Sequence, residues 1–128
     1  MHENRIMVRG YEMDSYGHVN NAVYLNYLEQ SRWEVLRNIG LIARFKEEGL
    51  LLVVTELKIR YAREAKVFDE LIIYTRMKLE GPYIIFKHRI ENERSGEKLV
   101  TAEVKTLVIN KDRVPCSVPQ EFHKLFDN

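Results

Sequence analysis

The chain has 128 residues, with 20 Lys and Arg against 19 Asp and Glu, and 45% of its residues are apolar. That length holds one hydrophobic core, so a single domain spanning residues 1–128 is expected, and a net charge of +1 excludes the basic excess of a protein that coats nucleic acid. The single cysteine, Cys116, excludes an intrachain disulfide and a multi-cysteine zinc site.

The opening stretch MHENRIMVRG lacks the apolar core of a signal peptide. The longest apolar run, Leu50 to Val54, falls far short of the ~20 residues that cross a bilayer. A cytoplasmic protein without a membrane segment is the expectation. Residues 4 to 10 read as a short strand, with Ile6 and Val8 alternating against Arg5, Met7 and Arg9. DSYGHVNN follows as a turn-rich stretch. Ala22 to Asn38 carries no Gly or Pro and predicts a helix of about four to five turns. Asn20 or Asn21 can cap its start, and Gly40 stands where a glycine stop belongs. Its apolar residues, Ala22, Val23, Leu25, Leu28, Trp33, Val35, Leu36 and Ile39, predict a largely buried helix. A second short helix is expected over 41 to 48, ended by Gly49.

From Leu51 the period changes to two. Strands are expected around Leu57 to Tyr61, Leu71 to Leu79, Ile84 to Glu91 and Val100 to Val108, with turns at Gly81-Pro82 and Ser95-Gly96. Pro115 and Pro119 bracket a loop, and Gln120 to Phe126 reads as a final helical turn. Four long strands with tight turns imply an antiparallel sheet. The fold class is therefore α+β, a curved antiparallel sheet of about five strands wrapped around one long helix. Such a protomer leaves sheet edges and apolar surface open, so a homodimer is expected at least.

The chemistry concentrates between Tyr11 and Trp33. Asp14 supplies a carboxylate, Gly17 a turn, His18 an imidazole, and Asn20 to Ala22 a helix start. A helix start offers unpaired N–H groups and roughly half a positive charge. It can polarise a carbonyl and hold the oxyanion that forms on it. A nearby carboxylate can attack that carbonyl or activate water. The plainer readings are an Asx turn at Asp14 and helix caps at Asn20 and Asn21.

This segment resembles the signature of the hotdog-fold acyl-CoA thioesterases, the 4-hydroxybenzoyl-CoA thioesterase-like family. The matching residues are Asp14, Gly17, the Asn20 and Asn21 pair, Tyr24, Tyr27, Glu29 and Arg32. The GHVNN form also resembles a branch shared with acyl-carrier-protein thioesterases. Ile59 to Leu71 and Arg113 to Pro119 resemble further family segments. The resemblance implies hydrolysis of an acyl-CoA thioester without a cofactor or metal. It implies Asp14 as nucleophile or general base, with the Asn21 backbone N–H polarising the carbonyl. His18 would orient Asp14 or line the pocket. Two departures stand out: Glu64 occupies a position before Ala65 where the family often has Pro, and Tyr16 is bulkier than usual.

In such a family the site resembles a cleft between protomers, in a homodimer or a homotetramer. Gly17, Tyr24 and Tyr61 are candidate substrate-binding residues, with Trp33 and Val54 as further pocket lining. Arg63 and Lys66 are candidates for coenzyme A phosphates, beside Arg60, Lys87 and Arg89. Glu29 and Arg32 are spaced for an intrahelical ion pair. His88 reads as a hydrogen-bonded core histidine, and Cys116 has no nucleophile's partners. His2, His18, His88 and His123 show no metal-ligand spacing. The alternatives are an acyl thioester hydratase or dehydratase, and a non-catalytic acyl-CoA-binding dimer.

Overall fold

A computed structural model of the chain describes residues 1–127. Five strands form one antiparallel sheet: β1 (His2–Met7), β2 (Leu51–Tyr61), β3 (Glu70–Glu80), β4 (Tyr83–Asn92) and β5 (Lys98–Ile109). Their order is β1-β3-β4-β5-β2, which leaves β1 and β2 at the edges. Two helices, α1 (Asn21–Asn38) and α2 (Leu41–Glu48), precede β2. The expected elements are present with shifted ends. The first strand closes at Met7, and the last turn is a 3-10 helix over Gln120–Leu125.

Local chemistry sets the connections. Glu80 faces Tyr83 across Gly81-Pro82, and Gly81 has φ of 59°. A two-residue hairpin turn needs that sign at its first central position, where glycine has no Cβ to clash. The register of β2 against β5 slips between Val54 and Glu56, leaving Thr55 in a bulge.

Helix α1 buries one face, not most of its circumference. Tyr24, Tyr27, Leu28, Ser31, Arg32, Val35 and Leu36 form the buried stripe, at the spacing of an amphipathic helix. Ala22 is exposed and Trp33 is 54% exposed, contrary to the expectation of a largely buried helix. The stripe lies against two apolar clusters. Tyr24, Tyr27 and Leu28 pack with Val8, Val19, Leu71, Ile73, Ile90 and Val100. Val35 and Leu36 pack with Leu41, Phe45, Met77, Ile84, Phe86 and Val104.

A polar band separates the clusters. Thr75 and His88 are register partners on β3 and β4, and both are buried. Thr75 Oγ1 lies 2.7 Å from Ser31 Oγ and 3.0 Å from His88 Nδ1. Arg32 Nη1 donates to His88 Nε2 at 3.3 Å. A guanidinium only donates, so Nε2 accepts and Nδ1 carries the proton that goes to Thr75. His88 is thus the hydrogen-bonded core histidine its strand position suggests. Burial, aided by the Arg32 charge, pushes its pKa down to about 3.

That shift has a sign that can be tested. Between about pH 6.5 and 3 the unfolded chain binds a proton that folded His88 refuses, so stability falls as pH drops through this window. His88→Gln keeps an acceptor for Arg32 and a donor for Thr75 without titrating. Urea unfolding at successive pH values is expected to show a flatter acid slope in this variant than in the wild type.

Candidate active site

The segment before α1 is held by main-chain pairing. Met13 bridges Val19, the Val19 N–H donates to Ala65 O at 3.0 Å, and the Asn20 N–H donates to Glu12 O at 2.9 Å. Glu12 anchors the whole stretch from inside. Its buried carboxylate accepts from the Arg9 N–H, the Arg9 guanidinium and the Tyr27 hydroxyl, the last at 2.7 Å. Nothing in the spacing of the sequence singled Glu12 out. Its one local signal is the i,i+3 placement with Arg9, which closes a capping box at the 3-10 turn Gly10–Glu12.

Asp14 begins a tight turn that Gly17 completes with φ of 80°. Oδ1 of Asp14 accepts from the Tyr16 N–H at 2.8 Å and the His18 N–H at 3.1 Å. The Asx-turn reading is therefore correct. It does not consume the carboxylate, because both bonds fall on one oxygen. The two N–H groups hold the Asp14 carboxyl below the usual carboxylate range, and the neighbouring His18 adds to this.

At the helix start, Asn20 is the cap, and its Oδ1 accepts from the Ala22 N–H at 3.1 Å. The Val23 N–H donates to Asn20 O at 2.9 Å. The Asn21 N–H has no protein acceptor among the described residues. It is the first-turn donor that the cap leaves free.

Asp14, His18, Asn21, Tyr24, Tyr61 and Arg63 line one cavity of about 230 Å³, together with Val19, Ala62 and Glu64. The tyrosines are fixed by their hydroxyls. Tyr24 accepts from the Ala65 N–H at 2.9 Å, and Tyr61 donates to Asn21 O at 3.0 Å. Arg63 sits at the rim, 3.1 Å from Glu97. Gly17 shapes the Asp14 turn without lining the cavity. Lys66 is exposed and outside the lining too. Trp33 and Val54 line a second cavity, of about 580 Å³, along the middle of α1 and the start of β2. The Glu29–Arg32 ion pair is absent among the described residues: Glu29 stays exposed while Arg32 turns inward to His88. Among the described residues no group of three or more His, Cys, Asp or Glu side chains is placed to hold a metal ion. No helix among them is long and apolar enough to cross a membrane.

Residues 8–126 match the family model of the thioesterase-like superfamily. The long-chain acyl-CoA thioesterase FadM of Escherichia coli is 34% identical over 109 residues, covering 84% of this chain and 83% of that one. The chloroplastic acyl-acyl carrier protein thioesterase ATL3 of Arabidopsis thaliana is 29% identical over 130 residues, covering 98% of this chain and 67% of that one. The crystal structure of YbaW, a probable thioesterase from Escherichia coli, superposes with a TM-score of 0.86 at 30% identity, covering 96% of this chain and 93% of that one.

The Asp14 environment predicts its titration. In a carboxyl NMR titration of the folded protein, Asp14 is expected to titrate below the ordinary aspartate value of about 3.9. The stabilisation that accompanies this shift is present above that value and is lost as pH falls through the folded pKa. A titration at or above the ordinary value would contradict the hydrogen-bonded turn.

Proposed function

We propose that this chain, which belongs to the thioesterase-like superfamily and is a thioester hydrolase of hotdog fold, hydrolyses acyl-CoA esters in the cavity at the start of α1. The observation that carries the proposal is the pairing, in one cavity, of an ionised carboxylate and an unclaimed helix N–H. The thioester carbonyl oxygen lies against the Asn21 N–H, where the helix dipole favours negative charge. Asp14 Oδ2, free of the turn bonds, attacks the carbonyl carbon. The oxyanion collapses, the C–S bond breaks, and the coenzyme A thiolate leaves. Water then attacks the Asp14 carbonyl carbon of the mixed anhydride, so that the former Oδ2 leaves with the free acid and the water oxygen restores the Asp14 carboxylate. A lowered pKa keeps Asp14 ionised at neutral pH, as attack on the carbonyl requires. His18 holds the Asp14 turn through its backbone and forms cavity wall with its ring. Gly17 sets the Asp14 turn, Tyr24 and Tyr61 shape the pocket, Arg63 attracts the phosphates at the cavity, and Lys66 attracts them from its exposed position outside the lining.

The same proposal covers the assembly and the setting: a cytoplasmic, single-domain protein that works as a homodimer or a homotetramer. β2 is an edge strand of 11 residues whose Leu51, Val54, Leu57 and Tyr61 are all at least 37% exposed. A long apolar edge of that kind invites a second copy. Light scattering is expected to give an even multiple of 15.2 kDa; a monomer at micromolar concentration would sink this part.

Thiol release from a panel of acyl-CoA esters tests the reaction. Asp14→Asn is expected to lose about two powers of ten or more in kcat/KM. Asn21→Ala keeps the backbone N–H and is expected to retain activity. Asn21→Pro removes only that N–H, at a first-turn position that tolerates proline, and is expected to lose about two to three powers of ten. Single turnover in heavy-oxygen water should place label in Asp14. Activity confined to acyl-carrier-protein thioesters would replace the carrier and keep the site.

A further inference from the structure

Asn21 supplies one donor to the carbonyl oxygen, and that oxygen has room for a second. The lining of the same cavity holds another donor without an acceptor. Tyr24 lines the cavity and is 2% exposed. Its hydroxyl oxygen accepts from the Ala65 N–H at 2.9 Å, and no acceptor among the described residues takes its proton. A phenol both donates and accepts, so half of its capacity is unused. A buried donor left unclaimed is costly. Tyr24 is closed off from bulk solvent, so the cavity is where an acceptor reaches it. Tyr61 lines the same cavity, but it is 42% exposed and gives its proton to Asn21 O.

The hydroxyl is also held at the right end of the helix. Tyr24 follows Asn21 by three residues, so the two share a face of α1. Helical side chains lean toward the helix N-terminus, which carries the phenol back over the first turn. Its ring stands edge-on to Tyr61 at 5.5 Å and to Tyr27 at 6.1 Å. Ala65, whose N–H binds the hydroxyl, accepts from the Val19 N–H just before the helix cap. Burial holds the Tyr24 pKa above the usual phenol value; the Ala65 bond opposes this, and the charges of Glu64 and Asp14 add to it. The proton therefore stays on the phenol at neutral pH.

We propose that the Tyr24 hydroxyl is the second donor of the oxyanion hole. The thioester oxygen takes the Asn21 N–H and the Tyr24 O–H together, and both bonds strengthen as the oxygen becomes negative. Tyr24 keeps its proton throughout, and no covalent bond to it forms or breaks. It is then a catalytic residue and not pocket lining alone. The inference rests on the thioesterase reading of this cavity.

Tyr24→Phe is expected to lose about two powers of ten or more in kcat, the effect of deleting one oxyanion donor. KM is expected to change by less than about threefold, because the charge on oxygen exists only in the transition state. The variant also strips the acceptor from the Ala65 N–H, so a second replacement separates the two roles. 3,5-Difluorotyrosine at position 24 keeps the shape and the acceptor but makes the phenol more acidic. Once ionised, it accepts from Ala65 better than before and can no longer donate. The other titratable groups lining the cavity, Asp14, His18, Tyr61, Arg63 and Glu64, are common to both enzymes. A loss of kcat at alkaline pH that the wild type lacks is therefore expected in the fluorinated enzyme.

An unchanged kcat in Tyr24→Phe overturns the proposal. So does a loss in Tyr24→Phe with identical alkaline profiles for the fluorinated and wild-type enzymes, which leaves Tyr24 only the holding of Ala65. Should Tyr24→Phe fail to fold, the fluorinated enzyme decides alone. In each of these outcomes wild-type turnover keeps the thioesterase reading standing. A wild type that releases thiol from no ester sinks that reading and the Tyr24 assignment together.

Discussion

The first turn of an α-helix cannot satisfy its own N–H groups, and the surroundings of α1 are arranged by that constraint. Asn20 takes the Ala22 and Val23 donors with its side chain and its carbonyl. Asn20 itself is tied to Glu12, and Glu12 to Tyr27 one and a half turns inside the helix. What is left over is the N–H of Asn21, a residue that lines the same cavity as Asp14. The candidate site is thus a remainder: the main-chain donors of Asn20, Ala22 and Val23 have partners, and that of Asn21 has none among the described residues. Replacing the Asn20 cap by alanine would cost on the order of 1 kcal/mol and would release one more donor, the Ala22 N–H, since the main-chain carbonyl that takes the Val23 N–H remains.

Residue periodicity carried most of the fold. The change from a helical to an alternating pattern at Leu51 lies at the start of β2, and both hairpin turns fall where Gly81 and Gly96 stand. The extent of helix burial was misread for a physical reason. Hydropathy counts Trp33 and Ala22 as apolar but does not know where the sheet ends, and β2 is an edge. The catalytic candidates were legible because Asp14, Gly17, His18 and Asn21 are close in the chain and the turn and cap rules are local. Arg32 was misread because i,i+3 spacing makes Glu29 an available partner. The competing partner, His88, is 56 residues away, and no local rule reaches it. Lys66 was chosen for charge, and charge does not say whether a side chain lines a cavity; it lies outside this one.

The core is two apolar clusters joined by a hydrogen-bonded seam. A continuous apolar core would be cheaper, since a buried ion without a carboxylate must be stabilised by dipoles. The seam fixes how α1 sits on the sheet. Ser31 meets Thr75 and Arg32 meets His88 only in one rotation and one height of the helix. Leucine on leucine tolerates sliding, whereas a hydrogen bond lost to a shift leaves a buried group unpaired. The helix N-terminus is positioned by the same seam.

The order of strands has a consequence for how the chain acquires its structure. β3, β4 and β5 form a meander of neighbouring hairpins, whose loops are short and close quickly. β2 comes before all three in sequence and still pairs with β5, the last of them. Its pairing closes a longer loop than either hairpin of the meander and is slower to form than they are. Tyr61 at the end of β2, and the 62–65 segment that receives Val19 and Tyr24, settle only after that docking. Binding pockets in this architecture are therefore a late product of folding, and a chain halted before β2 docks holds a formed sheet with no place for a substrate.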